Sequence, residues 1–207
     1  MQIDHIFIRV QPGGPEAEAL KAFGLTEGSG NTHPGQGTAN RRFFFANAFL
    51  ELLWIANEDE VRSPTTSPTT LSERLAPEGT ASPFGICFRP SEAGEVADFE
   101  TWDYQPAYLP PGMAIGIAAN TPLTEPMWFF VSKGGQWQQP IHHAAGLREI
   151  TGIKVFSPSS GQASQAARSS GLTFAHGEQH LLEISYDHEV QGMQKDFRPA
   201  LPLIFKY

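Results

Sequence analysis

Apolar and polar positions alternate along Gln2–Val10 (QIDHIFIRV), a run rich in β-branched and aromatic residues, and this period of two predicts a strand. Pro12-Gly13-Gly14 then turns the chain, and Pro15 to Phe23 has helical character, with Pro15 suited to a first helical turn and Gly24 to a stop. A polar, glycine-rich loop is expected over Gly28 to Thr38. Two apolar runs follow, Arg41 to Ala46 and Ala48 to Ile55, divided only by Asn47 as in a hairpin. The first unit therefore reads β-α-loop-β-β.

The same opening recurs twice. After a Pro/Thr stretch, SPTTSPTT at Ser63–Thr70, read as a surface connection, a short helix is expected at Leu71 to Leu75. A second unit begins at Pro83 with the strand-like PFGICFRP, a helix over Ser91 to Phe99, and strands at Met113 to Ala118 and Met127 to Ser132. A third begins at Ile150 with ITGIKVFSP, a helix over Gly161 to Ser170, and strands at His180 to Tyr186 and Leu201 to Phe205. Ile3–Arg9, Phe84–Arg89 and Ile150–Val155 share a strand register, which points to duplicated units at 1–56, 83–132 and 150–207, with 57–82 linking the first two. All 207 residues are read as one domain.

Composition narrows the function classes. The chain is 40% hydrophobic, so it can bury a core, and its 15 phenylalanines supply much of that core. A net charge of −8 with no cluster of basic residues beyond Arg41-Arg42 argues against nucleic acid as a partner. Apolar stretches of about eight residues fall short of the roughly 20 that a membrane helix needs, and MQIDHIFIRV is not a signal sequence, so a cytoplasmic protein is expected. Cys87 stands alone and reads as a small core residue. No P-loop, CxxC pair, GxSxG elbow or HExxH is present, so any chemistry must come from scattered residues.

The strand IDHIFIRV, the loop HPGQGTANR and the strand AFLELLWI together resemble the vicinal oxygen chelate superfamily, in its glyoxalase-like domain branch. The likeness covers most of the chain in outline and is strongest over residues 1–56. It implies an α+β fold of repeated βαβββ-type modules whose curved mixed sheets enclose a cleft. It also implies a small-molecule ligand, with or without a divalent metal (Zn, Ni, Mn or Fe(II)) that binds two oxygens of the substrate. His5 and Glu51 fall where that superfamily carries metal ligands; Glu183 matches the Glu51 position in the third unit, while Gly85 and Gly152 stand where His5 has its counterparts. The metal set implied is His5, Glu51 and Glu183, with the two glutamates as catalytic candidates. His33, His142, His143, His180 or water are open as further ligands.

The residues themselves leave several roles open. Alternation puts Ile3, His5, Phe7 and Arg9 on one face, and Glu51 with Phe49 and Leu53 on one face of its strand. A carboxylate among apolar neighbours requires a metal, proton or cationic partner. His5 reads first as a core histidine bonded to Glu51 or a backbone carbonyl, then as a metal ligand, and last as an acid–base group. The loop Thr32–Arg41 reads as a lip over the cleft, with His33, Asn40 and Arg41 as binding candidates and Asn40 and Arg41 presenting an amide and a charge to a carbonyl or carboxylate; a solvated turn is the plain alternative. Trp102–Pro111 is expected to be extended and either walls the pocket or packs as a loop. Two function classes follow: a metal-dependent lyase, isomerase or dioxygenase, and a metal-free binding or resistance protein. Pairing of two chains as a homodimer stays open.

Overall fold

The structure, a computed structural model, describes residues 1–134, 142–158 and 163–207. It is built mostly from strands, in curled mixed sheets that form a half-barrel, with few and short helices. The first unit contributes β1 (Gln2–Arg9), α1 (Ala17–Phe23), β2 (Asn31–His33), β3 (Thr38–Phe44) and β4 (Phe49–Ile55). Two one-turn helices follow, α2 (Glu58–Val61) and α3 (Leu71–Arg74). The second unit has β5 (Phe84–Arg89), β6 (Thr101–Tyr104), β7 (Ile115–Ala118) and β8 (Met127–Val131). The third has β9 (Ile150–Ser157), α4 (Gln165–Ser169), β10 (Thr173–His176), β11 (Leu181–Tyr186), β12 (Gln194–Asp196) and β13 (Leu203–Lys206).

The first two units join into one eight-stranded sheet of order β2-β3-β4-β1-β5-β8-β7-β6. Each first strand runs parallel to its own module's last strand, β1 to β4 and β5 to β8, and β1 meets β5 antiparallel at the centre with Phe7 opposite Gly85 and His5 opposite Cys87. The third unit forms its own five-stranded sheet, β10-β9-β11-β13-β12.

Period-two alternation explains how the sheets stack. Ile6 and Ile8 on β1, Leu50 and Leu52 on β4, Phe84, Ile86 and Phe88 on β5, and Trp128 and Phe130 on β8 all point to one face. There they meet Ile153, Val155, Leu182, Ile184, Leu203 and Phe205 of the second sheet, along with Leu20 of α1. The dominant core is thus a sheet-on-sheet layer behind the eight-stranded sheet. The opposite, concave face carries Phe7, Leu53, Cys87, Ile115, Ile117, Met127 and Phe129, and is roofed by Val61 of α2 and by Leu71 and Leu75 in and beyond α3.

Several local expectations are corrected. Ser91–Phe99 is not helical: Gly94 has φ +86°, Phe99 is the one buried side chain of the stretch, and so short a segment gains too little from helix formation alone. Ser63–Thr70 is not a plain surface connection, since Thr66 and Thr69 are buried. The expected start of the third helix at Gly161 lies outside the described residues. Among those described, no helix is long and apolar enough to cross a membrane.

Candidate functional site

The concave face encloses a cavity of about 200 Å³. One wall is polar and comes from the first module: His5, His33, Gln36, Asn40, Arg42 and Glu51. The other is apolar and comes chiefly from the second module and the roof, through Leu71, Leu109, Ile115, Ile117, Met127 and Phe129.

His5 is the fixed point of the polar wall. Its ring stacks on Phe49 at 4.4 Å and meets Phe129 edge-on at 5.3 Å, so the imidazole plane is set by packing. Its Nδ1 lies 2.7 Å from Asp4 Oδ1. Adjacent residues on a regular strand face opposite ways, yet Asp4 reaches His5. The cause is a β-bulge: Ile3 opposes Phe88 and His5 opposes Cys87, so Asp4 is an extra residue on β1, free to swing toward its neighbour. Asp4 is 3% exposed, and Arg89 Nε lies 3.4 Å from its second oxygen. A carboxylate can only accept, so Nδ1 carries the proton toward Asp4, and in the neutral tautomer that this bond selects the lone pair is on Nε2.

That lone pair is 3.7 Å from Glu51 Oε2, a gap that a ligand's polar atom can bridge. Glu51 is buried and accepts from Asn40 Nδ2 at 2.5 Å, while Asn40 Oδ1 accepts from the Asn31 backbone. Asn40 therefore orients the carboxylate. His33 bonds Thr38 Oγ1 through Nδ1 and lies against the Tyr108 ring; burial lowers its pKa, so it is neutral at pH 7. Arg42 is held at the rim by Ser29, with its guanidinium over Phe44 and Phe49, and stays charged although burial lowers its pKa.

Two sequence-predicted site residues lie elsewhere. Arg41 follows Asn40 on β3, so its side chain leaves by the opposite face; it pairs with Glu27 and Glu18 and bonds the Gly14 carbonyl. The cationic residue at the cavity is Arg42, two residues on from Asn40, which strand phase could have identified. Glu183 lies on β11, in the second sheet. Its neighbours Leu182 and Ile184 point into the core between the sheets, so Glu183 points away from it, and its carboxylate is 3.0 Å from Lys206 Nζ. His143 and His180 likewise hold backbone groups, at Thr26 and Phe44 and at Thr80, and neither lines the cavity. The reading missed Asp4, Gln36 and Arg42. Tyr104, Tyr108 and Leu109 do wall the pocket, from the aromatic, proline-interrupted segment.

The donor set does not fit a metal centre of three or four protein ligands. His5 and Glu51 offer two donors. In the second module Gly85 occupies the place of His5 and Phe129 that of Glu51, as the pairing of β1 with β4 and of β5 with β8 shows. The space at Gly85 is taken, because a Cβ there would lie 2.0 Å from the Phe7 ring. The one other grouping among the described residues is Asp4, His5 and Cys87, with ligand atoms within 4.8 Å of one another. Burial pushes the Cys87 thiol up, away from the thiolate a metal requires.

Residues 3–103 match the family described as a glyoxalase-like domain. No curated protein matches the chain. A hypothetical protein from Staphylococcus aureus is similar at 11% identity and a TM-score of 0.49, over 98% of this chain and 97% of that one. A hypothetical protein from Bacillus halodurans C-125 is similar at 17% identity and a TM-score of 0.42, over 67% and 98%. With its paired modules around a cleft and the family match over residues 3–103, the chain carries a glyoxalase-like domain, of the vicinal oxygen chelate superfamily, over those residues.

Proposed function

We propose that the cleft holds a small oxygen-bearing organic molecule, its apolar body against the second module and its polar head against the first, and that His5 is the proton acceptor for that head. The observation that carries this reading is the Asp4–His5 pair. It fixes the imidazole with a bare Nε2 facing Glu51 across 3.7 Å, inside a cavity whose other wall is apolar. A hydroxyl, or a C–H beside a carbonyl, placed in that gap would give its proton to Nε2, and the developing charge would face the guanidinium of Arg42. The cavity is at or below the small end of ligand pockets, which run from ~300 Å³ upward, so the occupant is on the scale of one substituted ring.

The test is a binding and turnover screen of aromatic hydroxy acids, α-keto acids and catechols in the presence of a chelator. Binding is expected to survive the chelator and to weaken at least about tenfold in His5→Phe, as lost contacts of about 1.4 kcal/mol require. The family's metal-dependent lyase, isomerase or dioxygenase chemistry would instead need an ion held at His5 and Glu51. If purified protein carries about one equivalent of a transition metal that disappears in His5→Ala/Glu51→Ala, and binding depends on it, the metal-free reading is wrong.

A further inference from the structure

A second cavity, of about 190 Å³, lies beyond Ile117 and Met127, which border both it and the cleft. It is enclosed by the end of the SPTTSPTT stretch (Pro68, Thr69, Thr70), by Arg74, and by Asn120 and Thr121 after β7, with Trp102 and Trp128 among its apolar boundaries. Its wall mixes these apolar side chains with the hydroxyls of Thr69, Thr70 and Thr121, the Asn120 amide and the Arg74 guanidinium.

Arg74 is the unusual member, since it is 2% exposed. Its Nε donates to Thr70 Oγ1 at 3.0 Å, and its Nη1 donates to the carbonyls of Glu125 at 2.6 Å and Leu123 at 3.4 Å. These are neutral acceptors. Among the described residues Nη2 makes no hydrogen bond, and no carboxylate forms an ion pair with the guanidinium. Glu125 and Glu73 act on it only electrostatically: the Glu125 carboxylate is taken by Trp128 Nε1 and by Ser164, that of Glu73 by Ser72. Burial lowers the Arg74 pKa to about 10, so it is cationic at neutral pH all the same. Buried near the Glu125 and Glu73 carboxylates but bonded to neither, the guanidinium leaves its Nη2 edge unused, and such a planar edge matches two oxygens of a carboxylate or phosphate.

The surroundings suit the same guest. At the mouth of the cavity Asn120 is exposed and its amide makes no side-chain hydrogen bond among the described residues, and half-buried Thr121 has only long Oγ1 contacts, of 3.4 and 3.5 Å, to carbonyls. Thr70 and Asn120 both hold positive φ, 60° and 54°, a conformation that a β-branched threonine seldom adopts. We propose that this cavity is a second ligand site, taking a small oxyanion, a phosphate or a carboxylate, on the Nη2 edge of Arg74 with Asn120 and Thr121 as the further donors.

The test is titration of the full chain with inorganic phosphate and, separately, with acetate, against chloride at matched ionic strength, following tryptophan fluorescence and the unfolding midpoint. Saturable binding of one or both anions is expected, and the arm that saturates identifies the oxyanion class. Asn120→Asp tolerates the same backbone and adds a negative charge at the wall, so it should weaken binding at least tenfold. Arg74→Lys keeps the charge but loses the fork, and should also weaken it if it folds. Arg42→Gln, in the other cavity, should leave it unchanged. A response no greater than that to chloride, or one lost in Arg42→Gln and retained in Asn120→Asp, would overturn the assignment and leave Arg74 a clamp on two carbonyls.

Discussion

Filling the space beside Phe7 tests why the second half of the cleft lacks a histidine. Gly85 is opposite Phe7 on the central strand pair, and a Cβ at that position would lie 2.0 Å from one ring carbon of Phe7 and 2.5 Å from two others. Carbon atoms pack at about 3.5–4.0 Å, so Gly85→Ala requires a shift of roughly 1.5 Å in a buried ring. The ring has little room to yield, because it also lies 6.2 Å from the Phe129 ring, centre to centre, on the floor of the cleft. Overpacking of this kind costs about 1–3 kcal/mol. Phe7→Ala alone removes a buried aromatic and costs about 3–5 kcal/mol. In the double variant the new methyl enters the vacated space, so its clash disappears and the total should fall short of the sum by about 1–3 kcal/mol. Urea unfolding of the four proteins reads this coupling directly. Additive losses, within about 0.5 kcal/mol, would show that Phe7 does not occupy that space and refute the packing account.

Two further outcomes are expected. Glu183→Gln should cost no more than about 1 kcal/mol, the scale of a partly exposed ion pair, and leave ligand affinity in the cleft unchanged; a large loss of affinity would return Glu183 to the site. Burial lowers the pKa of His33, His143 and His180 in the folded chain, so the unfolded chain takes up their protons first. Their contribution is therefore complete above about pH 6.5 and lost as pH falls through the folded values, and urea midpoints should drop from pH 7 toward 5. His143 is expected to carry part of this, because its Nδ1 accepts from the Thr26 N–H and a protonated ring cannot; a midpoint that rises over the same window would contradict the assignment.

Much of the fold was legible because strands advertise themselves through alternation. Ile6 and Ile8 against His5 and Phe7, and Leu50 and Leu52 against Glu51, mark the two faces correctly, and they brought His5 and Glu51 together. The short strands β2, β6, β10 and β12 were not legible, because three or four residues are too few to establish an alternation. The lip expected over Thr32–Arg41 hides the phase of β3, which already begins at Thr38 and sends Asn40 and Arg42, not Arg41, to the cavity. Asp4 was missed because one inserted residue breaks the period locally, and nothing within β1 announces what its partner strand does. Glu183 shows a different limit. Glu51 sits on a strand parallel to its module's first strand, whereas β11 runs antiparallel to β9, so Glu183 does not hold the place of Glu51, and neither that pairing nor the sheet a repeated unit joins can be read from local alternation.

The antiparallel pairing of β1 with β5 joins the two modules within one polypeptide, so the polar and apolar walls of the cleft are covalently tied. Neither wall has to be borrowed by association. For the ligand proposed above, the binding midpoint should then be the same at nanomolar and at micromolar protein, because both walls described come from one chain.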